Sequence, residues 1–281
     1  DKSRLHVVFY SQDGRAIGGV EYLVLLPTQK ENEYQVTGSI KLDKLQMTNS
    51  GFSGKVMVYA NINGVDEQAD FSEDTLNRLT FTYQPTTPHF IPMWGVKQLE
   101  NIPFKAGKQY DIKTINLLRA EAKIHVSLRQ DMIDGGYTLT QVKLLGHQQQ
   151  GYCLPPFGSV AHLEDANRLS DADMGHFHEA APSQEPVDML QGDVYVPEYR
   201  NSGEGTPAVI SLRLRDRFGK ESDYLLKFVD YDASGAPTSQ AVDILRNHYY
   251  QFQLYKGDND ILHVNLNVRK WYYTEHDHII M

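Results

Sequence analysis

The chain has 281 residues, enough for one large or two ordinary domains, and a hydrophobic fraction of 41% that can fill real cores. Its 27 Lys and Arg against 36 Asp and Glu give a formal charge of -9 with no long basic run, which argues against a nucleic-acid partner. The single cysteine, Cys153, excludes an internal disulfide framework, and no apolar run approaches the length of a bilayer span.

The polar opening Asp1-Lys2-Ser3-Arg4 has no signal-peptide architecture, so the expectation is a soluble chain whose targeting segment is absent or already removed. From there the dominant period is two. Apolar side chains alternate in Leu5 to Phe9, Val56 to Ala60, Leu79 to Tyr83 and Ala122 to Leu128. The pattern returns in Val142 to Leu144, Ile210 to Leu214, Tyr224 to Val229, Tyr250 to Leu254 and Leu262 to Val268. Each reads as a strand with one buried face. The best helix is short, Glu73 to Leu79, with Ser72 as N-cap and Glu73 and Asp74 in the first turn, where the helix dipole favours negative charge.

Turn signals separate these strands at Asp13-Gly14, Asn49-Ser50-Gly51, Asp134-Gly135-Gly136, Phe218-Gly219 and Asp232 to Gly235. With crossover helices missing, the sheets are expected to be antiparallel and the fold all-β and sandwich-like. A domain boundary is expected near Leu118, after Ala106-Gly107-Lys108, giving units 1–117 and 118–281. From Ala161 to Val194 the periodicity fades, which marks either an excursion packed on the surface or a functional insertion.

Candidate chemistry is sparse. His176 and His178 stand at alternate positions, so both imidazoles could reach one ion in an extended segment, with His162, Asp171 and Asp173 nearby. No HExxH or paired CxxC accompanies them, and solvated loop histidines are the plainer reading. Glu275-His276-Asp277-His278 repeats the spacing at the end of the chain. Cys153 precedes Leu154-Pro155-Pro156, with no helix dipole to activate it, and there is no GxSxG elbow. The carboxylate pairs Asp171 with Asp173 and Asp230 with Asp232 read as acidic loops, and Gly18-Gly19 and Gly135-Gly136 lead into strands and form no phosphate loop. No catalytic, metal-binding or cofactor-binding residue is assigned, and the chain is read as a non-enzymatic binding or structural protein. For such a protein open sheet edges are the interesting chemistry, because their unpaired N–H and C=O groups can accept another chain's strand.

Several phrases, in order, resemble the two-domain fimbrillins, the type V pilus subunits of anaerobic Gram-negative bacteria. They are Val56-Met57-Val58-Tyr59-Ala60-Asn61-Ile62, Ile91-Pro92-Met93-Trp94-Gly95, Leu118 to Val126, Tyr195-Val196-Pro197-Glu198-Tyr199, Ile244 to Tyr250, and a closing strand ending at Trp271. The resemblance implies two antiparallel transthyretin-like β-sandwich domains in tandem. It also implies export through the outer membrane as a lipoprotein precursor and a place in a cell-surface fimbria built by donor-strand exchange. The implied partners are other fimbrial subunits and, for an accessory or tip adhesin, host or bacterial surface glycoproteins. The family's early removable strand is missing here, since the first strand begins at Leu5, so a processed or shortened chain with an open groove in its first domain is expected.

The alternative is a surface carbohydrate-binding β-sandwich using exposed Trp94 or tyrosines as sugar platforms, and the burial of Trp94 and Trp271 discriminates between the two. A periplasmic metal-binding module on His176 and His178 is a third reading. The stretch Asp243 to Tyr255 is expected to place Tyr250, Phe252 and Leu254 in the core, in a hairpin with Leu262 to Val268 across Gly257. Arg246-Asn247-His248 should then hydrogen-bond backbone at the sandwich end.

Overall fold

The computed structural model describes residues 4–30, 33–41, 45, 47–85, 90–257 and 261–271. Its first part forms β1 (Leu5–Ser11), β2 (Ala16–Gly19), β3 (Glu21–Pro27), β4 (Tyr34–Ser39), β5 (Phe52–Ala60), α1 (Glu73–Arg78), β6 (Thr80–Thr82), β7 (Met93–Ile102) and β8 (Leu118–Arg119). Five of these strands make one antiparallel sheet in the order β2-β1-β5-β7-β8. The period of two sends Val8, Tyr10, Met57, Tyr59, Trp94 and Val96 to one face and Val7, Phe9, Val56, Val58 and Leu99 to the other. Both faces are covered. That is why β5, at the centre, is buried at nearly every position and reads as a continuous apolar run.

Helix α1 starts where its sequence predicts, with Ser72 accepting a hydrogen bond from the Thr75 backbone N–H and Leu76 buried against the sheet. The other face of the sheet is covered by Leu45, by Val20, Leu23 and Ile40 beside the β3–β4 hairpin, and by Phe104, Ile112, Ile115 and Leu117. The chain's own loops therefore pack over the faces of this sheet, where an open groove was expected.

The second part forms β9 (Glu121–Leu128), α2 (Gln130–Asp134), β10 (Thr138–Leu145), β11 (Gln150–Tyr152), α3 (Phe157–Val160), β12 (Val187–Asp188), β13 (Val194–Pro197), β14 (Val209–Arg215), β15 (Glu221–Lys227), β16 (Val229–Tyr231), β17 (Pro237–Ala241), β18 (His248–Lys256) and β19 (Leu262–Lys270). Two four-stranded sheets, β13-β9-β18-β19 and β12-β10-β14-β15, face each other across one core. Ile124, Phe252 and Leu254 meet Val142, Ile210, Leu212 and Leu226 there. The fold is all-β.

One pairing differs from the antiparallel expectation: β9 and β18 run parallel, from Tyr249 opposite Lys123 to Leu254 opposite Leu128. A parallel pair needs a long crossover, and here the connection between β9 and β18 carries every strand of the opposing sheet. The two parts of the chain are also tied together. Strand β6 pairs with β11, Cys153 N–H donates to Leu79 C=O at 2.7 Å, and Trp271 closes a small cluster with Ala60, Ile91 and Met93.

Candidate functional site

Three features compete to be the site: the irregular excursion, the buried polar cluster around Arg246, and the exposed β3–β4 hairpin. The excursion is structural along much of its length. It contains single-turn 3-10 segments at Ala166–Arg168 and Asp171–Asp173, and it sends Ala166, Leu169 and Met174 into the same core as Tyr10 and Trp94. Its start lies along the outer edge of β7: Gln98 N–H donates to Glu164 C=O at 2.9 Å and Lys97 bridges to Asp165. Lys55 reaches Ala161 C=O at 2.5 Å. A segment that plugs a sheet edge and fills a core is not a free adhesive loop, and only its outward side chains can make contacts.

The Arg246-Asn247-His248 phrase is buried. The Arg246 guanidinium donates to Glu198 Oε2 at 2.6 Å and to Tyr152 C=O at 3.0 Å, while Glu198 Oε1 accepts the Arg246 backbone N–H at 3.1 Å. Glu198 Oε2 also accepts from His176 N–H at 3.2 Å, so one buried carboxylate ties the excursion to the closing strands. His248 Nδ1 lies 2.8 Å from Arg246 C=O. Asn247 has φ +54, and its side-chain oxygen accepts from the Arg119 guanidinium at 3.3 Å. The expected backbone hydrogen bonds at the sandwich end are present, and a buried ion pair that the sequence does not reveal holds them.

His176 and His178 are engaged elsewhere. The His176 ring stacks on Tyr152 with centroids 3.8 Å apart and its Nδ1 sits 2.9 Å from Leu154 C=O. His178 Nδ1 accepts the Ala180 N–H at 3.1 Å. Among the described residues no group of three His, Cys, Asp or Glu side chains is arranged to hold a metal ion. The candidate at Glu275 to His278 lies outside the described residues. Burial pushes the Cys153 thiol up to about 12, where the nucleophilic thiolate is scarce at neutral pH. Trp94 and Trp271 are 0% and 2% exposed, so both indoles are anchors, and the tryptophan version of a sugar platform loses its residues.

The hairpin is different in kind. Strands β3 and β4 form a two-stranded sheet in which, among the described residues, each pairs only with the other. Leu23 packs inward while Tyr22, Leu26 and Val36 are 82%, 50% and 41% exposed. Register shifts between Glu21 and Val24, and Tyr22 sits there at φ +55, a conformation a bulky residue adopts only when its surroundings impose it. Both ribbon edges thus offer unpaired backbone groups beside apolar side chains. Sequence reasoning passed over this element, although Tyr22-Leu23-Val24-Leu25-Leu26 carries a usable signal. An apolar run without alternation must be buried on both faces or must display one.

No family model matches the chain, and no curated protein matches it. Among solved structures, one from Parabacteroides distasonis, described as a candidate cell adhesion protein, superposes with a TM-score of 0.51 over 95% of this chain and 88% of its own, at 14% identity. Another of the same description from Bacteroides uniformis gives 0.48 over 96% and 91%, at 9% identity. At 14% identity the first likeness concerns the fold, which it extends along nearly the whole chain.

Proposed function

We propose that the protein is a non-enzymatic structural subunit of a cell-surface fimbria, assembled by β-strand exchange between subunits and exported through the outer membrane as a lipoprotein precursor. In this reading the chain is two tandem transthyretin-like units meeting near Leu118, and it belongs with the fimbrillins that its ordered phrases resemble. The observation that carries the proposal is the β3–β4 ribbon, whose two edges pair with no further strand among the described residues and whose Tyr22, Leu26 and Val36 are held out to solvent. An incoming strand would satisfy the backbone ladder and place alternate side chains on that apolar surface. The description of the Parabacteroides distasonis protein as a candidate for cell adhesion supports a surface role.

The test is to mix the purified chain with a synthetic peptide copying a fimbrillin donor strand. A complex that survives gel filtration and slows hydrogen exchange in Glu21–Pro27 and Tyr34–Ser39 is the expected result. Absence of a complex at peptide concentrations up to about 1 mM, the weak end of specific recognition, refutes it.

A further inference from the structure

The outer face of the sheet β13-β9-β18-β19 presents an unusual set of side chains. Strands β18 and β19 set Gln251 opposite Asn267, Gln253 opposite Asn265 and Tyr255 opposite His263, while Tyr250, Phe252 and Leu254 fill the core. Alternation therefore stacks two facing amide pairs on the solvent side, about 7 Å apart along the strands. Among the described residues no protein group hydrogen-bonds to these four side-chain amides.

At the Gln253 and Asn265 end the surface sinks into a cavity of about 310 Å³, walled by Arg129, Asp232, Tyr255 and Val264. Its charges are limited and balanced. Arg129 Nε donates to Asp131 at 2.8 Å and its guanidinium lies 4.4 Å over the Tyr255 ring, so the cation is already partnered. Asp232 Oδ1 accepts from Ser234 Oγ at 2.6 Å, Ser234 N–H at 2.9 Å and Ala236 N–H at 3.0 Å. These bonds, the Ser234 hydroxyl first, hold the carboxyl below its ordinary range, so it is an acceptor at neutral pH. The Asp232–Gly235 turn seats tightly on the wall. Gly235 has φ +76, and a Cβ there would meet His263 Cβ at 2.6 Å and Tyr255 Oη at 2.9 Å.

A ligand for this cavity must offer several donors and acceptors to two free amides and a carboxylate, and an anion is disfavoured there. An apolar ligand would leave the amides unpaired. A phosphate or carboxylate would face Asp232 with no unpartnered cation among the described lining residues to hold it. We infer that the cavity binds one ring of a neutral oligosaccharide, with Gln253 and Asn265 as the hydrogen-bonding pair and Gln251 with Asn267 continuing the contact to the next ring. This goes beyond the fimbrial reading and does not depend on it.

The test is calorimetric titration of the whole chain with neutral trisaccharides ending in galactose, mannose, glucose or N-acetylglucosamine, each to about 10 mM to cover the weak affinity range. The expected result is binding of at least one, weakened about tenfold or more in Gln253→Ala/Asn265→Ala, the scale for losing two neutral hydrogen-bonding groups. Thermal unfolding of that double variant should stay unchanged, because the amides hold nothing in the fold. Gly235→Ala, which crowds Tyr255, should also weaken binding. No heat with any of the sugars, or binding that the double variant retains, overturns the inference. A chain that takes up a donor-strand peptide yet ignores every sugar overturns this inference alone, and the reverse outcome overturns only the assembly reading.

Discussion

Replacing Glu198 with alanine should be among the most damaging single changes to this fold. The side chains of Arg246 and Glu198 are 1% and 2% exposed, and their atoms approach to 2.6 Å. Deleting the carboxylate leaves Arg246 buried with Tyr152 C=O as its one remaining guanidinium acceptor among the bonds described above, and strips the acceptor from two backbone N–H groups, those of Arg246 and His176. Removing one member of a buried pair costs about 3–5 kcal/mol, mostly the penalty of a stranded charge, and the two orphaned N–H groups keep the figure near its upper end. That is a large share of the roughly 5–15 kcal/mol of a typical domain.

Urea unfolding followed by fluorescence should show the midpoint falling sharply with little change in slope. Hydrogen exchange should quicken first around His176, where the excursion loses its tether. The companion Arg246→Met/Glu198→Leu should be milder than Glu198→Ala by the cost of the stranded charge, although the two backbone N–H groups still lose their acceptor. A loss below about 1 kcal/mol for Glu198→Ala, the size expected of an exposed ion pair, or a double variant as costly as the sum of the singles, refutes this account of the cluster.

Three further expectations concern the buried set. Leu169→Ala and Met174→Ala, at 3% and 1% exposure, should each destabilise by about 2–5 kcal/mol by chemical denaturation. Values near zero would mean that the excursion is not part of the core. Burial holds the His147 imidazole below its ordinary value and is the largest cause of the same direction for His176. The folded state therefore favours neutral rings, and the stability they support is present above about pH 6.5 and lost as pH falls through their lowered folded values. The urea midpoint should drop between pH 7 and 5, and His147→Leu should flatten that dependence; an unaltered slope would refute it. Cys153, with its thiol pushed up to about 12, should resist iodoacetamide in the native protein at pH 8 and react once unfolded, whereas rapid native labelling would contradict the packing.

What the sequence discloses follows from the range of the forces involved. Alternation is local, so Tyr250, Phe252 and Leu254 were readable as a core face, and their hairpin with β19 followed from the turn after Lys256. Capping is local too, and Ser72 with Glu73 and Asp74 located α1. Pairing between distant strands leaves no periodic trace, so the parallel contact of β9 with β18 was invisible. The same holds for Arg246 and Glu198, whose partnership spans 48 positions. The excursion looked irregular because its core contribution comes from separated anchors on single turns, Ala166, Leu169 and Met174, which no period of 2 or 3.6 picks out. Among its carboxylate and imidazole candidates, Asp171 and His176 were legible as residue types, yet the His248 ring and the Leu154 carbonyl that engage them lie outside the excursion, while His178 is engaged by Ala180 two positions on.

The two outward surfaces rely on different physics, and one substitution can separate them. The β3–β4 ribbon recognises an extended chain through backbone hydrogen bonds and apolar side chains, whereas the amide pairs of β18 and β19 suit hydroxyl groups. A two-stranded ribbon is marginal by itself, and here Leu23 anchors one side while Leu26, at 50% exposure, is free to meet a partner. Leu26→Lys should therefore change global stability by no more than about 0.5 kcal/mol, as exposed substitutions usually do. Against a donor strand it should cost far more, because an edge lysine must be desolvated beside the incoming chain and is a known device for discouraging edge pairing. Peptide affinity should fall by about tenfold or more, equivalent to about 1.4 kcal/mol, with sugar binding untouched. If the peptide binds Leu26→Lys as well as the parent chain, the ribbon is not the assembly edge, and its exposed apolar residues need another explanation.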